Sequence, residues 1–142
     1  MKFIYLTLIL ILSVDLYASE LVLGGLRLDM TKEEMISKKG KPTKYTEQAD
    51  FINEIYEYKD VSIYFNGDSL IGIESDALGV CASDNICIGK SSLNDVRKVW
   101  GKEYKKEVLG ENYLEFYVVE YPCWYRISES ELVASIEIAC QP

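Results

Sequence analysis

The stretch that decides the fold is Ile86–Gly101, ICIGKSSLNDVRKVWG. It reads as a short apolar entry, a Gly, a Ser pair, a one-sided helix and a closing Gly. Ser92 with Asp95 three residues later is a capping box: the hydroxyl accepts from a first-turn amide and the carboxylate reaches back. Leu93, Val96 and Trp100 form one stripe at helical spacing, and Gly101 supplies the stop. A paler copy lies at Leu26–Gly40, LRLDMTKEEMISKKG. Setting Ser92 on Thr31 also sets Asp95 on Glu34, Val96 on Met35 and Gly101 on Gly40, all 61 positions apart. Thr31 and Glu34 make the same box, Met30 is placed to staple the helix, and Pro42 follows the stop.

Each copy runs on into strand-like sequence. Residues 51–58 (FINEIYEY), Val61–Phe65 and Leu70–Ser75 follow the first helix, the last two joined by a turn at Asn66-Gly67-Asp68. In the return strand, Ile71 and Ile73 are expected on one face. After the second helix come Tyr113–Val119, Cys123–Ser128 and the long alternation Leu132, Ala134, Ile136, Ile138, Cys140. The pattern predicts an α+β fold of two helix-plus-antiparallel-meander repeats, about 26–75 and 86–140, sharing one sheet with the helices on one face. Sixty-odd residues per unit is a marginal core, so residues 19–142 read as a single domain.

The chain opens with Lys2, an apolar run from Phe3 to Val14, and Ala18-Ser19. A basic start, an apolar run of this length and a small residue at its end make a signal peptide, with cleavage expected after Ala18. The run is short for a membrane span. The first cysteine is Cys81, so none stands near the signal for lipidation. A periplasmic or secreted protein with no membrane anchor after cleavage is expected.

Removing residues 1–18 deletes Lys2 and Asp15, so the net charge stays at −8. Phosphate backbones need a cationic surface, which argues against a nucleic-acid partner. A basic protein partner would be steered in by this field. The same charge also simply keeps an exported protein soluble.

Four cysteines in an exported chain suggest two disulfides. Cys81 and Cys87 enclose ASDNI, and Cys123 and Cys140 flank the last two strand-like segments, so these are the favoured pairs. A hairpin centred on Glu129–Ser130 would not set Cys123 directly opposite Cys140. The spacings are not the paired CxxC of a zinc site, and no cofactor or metal is expected.

The chain contains no histidine. Ser–His and Cys–His nucleophilic sites are thereby excluded, and so are histidine general bases. No GxSxG motif or phosphate-cradling glycine loop occurs. Carboxylate-pair glycoside hydrolysis stays open, with Glu115 and Glu137 as the acids centred on strands. The sharper signal lies on that same strand face. Tyr64, Tyr113, Tyr117 and Trp124 project opposite the aliphatic side, with Glu115, Arg126 and Glu137 among them. Tyr and Trp carry large contact area on few rotors, as interface anchors do. Aromatic residues also favour strands for packing alone. The reading is a non-enzymatic protein-binding module, an inhibitor or envelope accessory factor. The alternative is a small cell-wall or glycan hydrolase.

Leu28-Asp-Met-Thr31-Lys-Glu-Glu-Met35 with Gly40-Lys-Pro42, and Ile88-Gly-Lys-Ser91-Ser with Val96 and Gly101, carry a resemblance. The chain resembles the small tandem-repeat exported proteins typified by β-lactamase-inhibitory protein, and the SmpA/OmlA envelope lipoproteins that hold a single such unit. The resemblance covers most of residues 26–139. It implies a concave sheet face used to hold another protein.

Overall fold

The computed structural model describes residues 20–118 and 122–141. The expected signal segment 1–18 lies outside the described residues, as do Val119, at the end of one expected strand, and Pro142. Among the described residues the chain forms ten strands and two eight-residue helices. The α+β reading with two helix-plus-meander repeats is therefore corrected. The molecule is mostly β, with one eight-stranded antiparallel sheet beside a two-stranded one.

The small sheet pairs β1 (Val22–Leu23) with β2 (Leu26–Arg27). Helix α1 (Lys32–Lys39) follows. The large sheet then takes β3 (Lys44–Glu47), β4 (Glu54–Glu57), β5 (Ser62–Asn66) and β6 (Ser69–Ser75). After the Cys81–Cys87 loop and helix α2 (Leu93–Trp100) it adds β7 (Tyr104–Val108), β8 (Glu111–Phe116), β9 (Cys123–Ser128) and β10 (Ile136–Cys140). The order across the sheet is β3-β4-β5-β6-β10-β9-β8-β7. Three strands were expected after each helix. The outer strands β3 and β7 were missed, because KYTE and YKKEV carry no apolar alternation. An edge strand needs none, since it pairs on one side only and charges blunt it.

Both helices start where the sequence predicts. Thr31 accepts from the Glu34 amide and Ser92 from the Asp95 amide, and each acid returns a bond to the cap backbone. Each helix closes with the cap amide of its glycine donating four residues back, Gly40 to Ile36 and Gly101 to Arg97. Helices this short need packing to persist. Met35 from α1 and Val96 and Trp100 from α2 supply it, inside one buried cluster.

That cluster lies on one side of the large sheet. It holds Ile63 and Phe65, Ile73, Ile136 and Ile138, Tyr125 and Ile127, and Leu114 and Phe116, together with Leu21, Leu23 and Leu26 from the N-terminal segment. Tyr125 ties the layers together. Its hydroxyl donates to the Val22 carbonyl at 2.8 Å, accepts the Val22 amide at 2.8 Å and meets the Ser83 hydroxyl at 2.6 Å. One detail of β6 differs from expectation. The β5–β6 register shifts between Tyr64 and Phe65, and this bulge brings Leu70 rather than Ile71 onto the core.

Two disulfides join Cys81 to Cys87 and Cys123 to Cys140. Cys123 stands directly opposite Cys140 in the β9–β10 register. The alternation from Leu132 onward predicts a strand there, but regular pairing begins only at Ile136. Residues 132–133 instead peel toward α2: Leu132 bridges Ser92, and Val133 exchanges backbone bonds with Gly89 and Ser91. The connection is thus longer than a tight hairpin and recentred, which sets the two cysteines face to face.

Candidate functional site: the open face of the sheet

Strand alternation sends every second side chain to the side away from the core. Register assembles those residues into rows across the sheet. One row runs Glu57, Ser62, Glu74, Glu137, Arg126, Glu115 and Tyr104 over β4, β5, β6, β10, β9, β8 and β7. The next runs Tyr64, Gly72, Ala139 and Trp124, with Tyr117 against Trp124, their centroids 5.6 Å apart. The two smallest residues thus sit at the centre of the sheet between two aromatic flanks. Gly72 eases a tight approach there, since a Cβ would come 3.0 Å from the Ile138 carbonyl oxygen.

Of the residues singled out from the sequence, Tyr113, Glu115, Tyr117, Trp124 and Arg126 come together on β8, β9 and the residue just past β8. Tyr64 stands apart from them on β5. It is three strand spacings from Trp124, or about 14 Å. Tyr104 was missed, because no strand was expected at 104–108. Its ring meets Tyr117 edge-on at 5.4 Å, extending the aromatic run to the sheet edge.

Arg126 organises this half. Its Nη2 donates to Glu115 Oε1 at 2.9 Å and its Nη1 to Glu137 Oε2 at 3.1 Å. The guanidinium also lies 5.6 Å from the Tyr113 ring centroid. Glu115 is only 4% exposed. Burial pushes its carboxyl up, but the Tyr117 hydroxyl, donating at 2.7 Å, and Arg126 outweigh this and hold it below the usual carboxylate range. The bond to Glu115, with burial added, pushes the Tyr117 phenol up to about 12. Glu137 moves the other way: burial raises it, Arg126 opposes, and the neighbouring Glu74 raises it further. Burial, with Glu74 beside it, likewise raises the Tyr64 phenol.

The two acids weighed for hydrolysis are therefore clasped to one cation that fills the gap between them. Glycoside hydrolysis needs that gap for the sugar and a water. A depression of about 360 Å³ opens beside Glu115 alone of the two, lined also by Lys106, Tyr117, Trp124, Arg126 and Gln141. Among the described residues no group of three Asp, Glu, Cys or His side chains is placed to hold a metal ion. No helix is long and apolar enough to cross a membrane. The two disulfides mark a chain that folds in an oxidising compartment.

No family model matches the chain, and no curated protein matches it. Among solved structures, an extracellular protein containing an SCP domain from Bacillus anthracis str. Ames is similar, with a TM-score of 0.56 at 14% identity. The match covers 78% of this chain and 43% of that one. At this identity the likeness speaks to fold alone, and the chain spans less than half the length of that protein.

Proposed function

We propose that this chain is a non-enzymatic, exported protein-binding module, an inhibitor or an envelope accessory factor, that holds another protein against the open sheet face. The observation that carries the reading is the run Tyr104, Tyr117, Trp124, in ring-to-ring contact on the side of the sheet away from the core. Tyr117 is 52% and Tyr104 56% exposed. Exposed aromatics set on strands are rigid, amphipathic anchors of the kind that dominate interface energetics. Behind them the Glu115–Arg126–Glu137 cluster fixes the strands' outward geometry with charge-assisted bonds. Export to the periplasm or outside the cell is supported by the apolar N-terminal run, by the two disulfides, and by the occurrence of the fold in an extracellular protein.

The test is capture from the native compartment. A photo-crosslinking amino acid at position 117 or 104 is expected to trap a discrete protein band. Tyr117→Ala/Trp124→Ala is expected to lose that partner in pull-down while melting normally. Equal recovery by wild type and the double variant would overturn the reading. Retention of both on cell-wall glycan, with no protein trapped, would favour a polysaccharide-binding role instead.

A further inference from the structure

The open face carries one like-charged cross-strand contact in its central row, Glu74–Glu137. β6 and β10 pair antiparallel with these two residues opposite each other. Two carboxylates thus stand on adjacent strands of one face, where like charges are destabilising. Glu137 shares Arg126 with Glu115. Glu74 is exposed, its charge helps raise the Tyr64 phenol, and among the described residues it has no cation. A hollow of about 100 Å³ opens beside the pair, lined by Glu74, Asp76, Tyr113, Arg126, Ser135 and Glu137. Arg126 also lines the depression beside Tyr117 and Trp124. Three acids against one committed cation, in a chain of net charge −8, leave this end of the face electrostatically incomplete.

We propose that the hollow receives a lysine or arginine side chain of the protein partner, which would sit between Glu74 and Glu137 with the Tyr113 ring beside it. The proposal rests on the protein-binding reading above and specifies its chemistry: the partner presents a basic residue one aromatic footprint away from the surface that covers Tyr117 and Trp124. An anionic ligand is disfavoured by Glu74, Asp76 and Glu137. A bare metal ion is disfavoured because these acids do not converge as ligands. A partner's cation would relieve the Glu74–Glu137 repulsion, and its own desolvation would be offset by two carboxylates and a ring.

The probe is an N-acetylated, C-amidated triarginine peptide titrated into the isotope-labelled, disulfide-bonded protein at low salt. Amide shifts are expected to concentrate at residues 72–76, 113, 126 and 135–139. Glu74→Gln, which leaves the Arg126 bonds intact, is expected to weaken the peptide's Kd at least fivefold and to melt no lower than wild type. Glu74→Gln/Glu137→Gln is expected to weaken it at least tenfold. Glu33→Gln/Glu107→Gln removes the same number of charges elsewhere and is expected to change Kd less than twofold. Equal weakening by the two double variants, or shifts spread evenly over the surface, would overturn the proposal, since either marks a diffuse charge effect. Tyr117→Ala/Trp124→Ala is expected to bind the peptide within twofold of wild type. That separates a failure of the hollow from a failure of the wider face.

Discussion

The indole of Trp100 lies flat on the ring of Tyr125, with centroids 4.0 Å apart and planes 9° from parallel. One ring comes from α2 and the other from β9, so this contact is where the second helix is fastened to the sheet. Phe116 meets the same indole edge-on at 5.7 Å. Trp100→Ala removes the helix's largest anchor, and about 3–5 kcal/mol of destabilisation is expected. Urea unfolding followed by circular dichroism measures it. A loss under 1 kcal/mol would mean that Val96 alone holds α2.

Tyr125→Phe keeps the stack and deletes only the hydroxyl. The Val22 amide and carbonyl and the Ser83 hydroxyl then lose a shared buried partner. The expected cost is about 1–3 kcal/mol. Amide exchange should quicken first at residues 22 and 83, which distinguishes this local release from global weakening.

Leu109 has a φ of 52°, is fully exposed and precedes Gly110, at φ 84°, in the two-residue turn between β7 and β8. A leucine in the left-handed region costs roughly 1–2 kcal/mol, and this turn type favours Asn-Gly. Leu109→Asn should raise stability by about 1 kcal/mol, or a few degrees in Tm. An unchanged Tm would indicate that the turn relaxes in solution.

The carboxylate pair on Arg126 gives stability two opposed pH limbs. Glu115 is held below its ordinary range, so its contribution is full above the ordinary carboxylate pKa and is lost as pH falls through its lower folded value. Glu137 is raised, so its ionisation costs stability, and that cost is relieved as pH falls from above its folded value toward the ordinary one. Melting temperature against pH should therefore rise slightly on mild acidification and then drop. Glu137→Gln should flatten the first limb and Glu115→Gln the second. An acid limb that survives in Glu115→Gln would assign it to other carboxylates.

The Cys123–Cys140 bridge joins directly opposed residues of β9 and β10. Cys123→Ser/Cys140→Ser is expected to cost about 2–5 kcal/mol. The midpoint of thermal unfolding, compared with wild type under non-reducing conditions, checks it.

The parts legible in the sequence are those encoded within a few residues. Capping boxes at Thr31 and Ser92 announce both helices because cap, acid and glycine all act locally. Alternation in β8 and β9 is enough to put Tyr113, Glu115, Trp124 and Arg126 on one side. The parts that were not legible depend on pairing at a distance. Nothing local in KYTE or YKKEV shows that a neighbour waits to recruit it. The bulge that exchanges Leu70 for Ile71 is visible only against β5. The Glu74–Glu137 opposition exists only once β6 lies beside β10.

That β6–β10 seam also dictates when the molecule can become whole. Residues 72–75 wait for residues 136–139 before the middle of the sheet can close, so a chain still lacking its last strand holds at most a fragment in which β6 is paired to β5 and open on its β10 side. Long-range pairing of this kind slows folding, because the loop between the strands must be closed before the contacts form. It also leaves β6 as the segment a chaperone would need to shield in the interval.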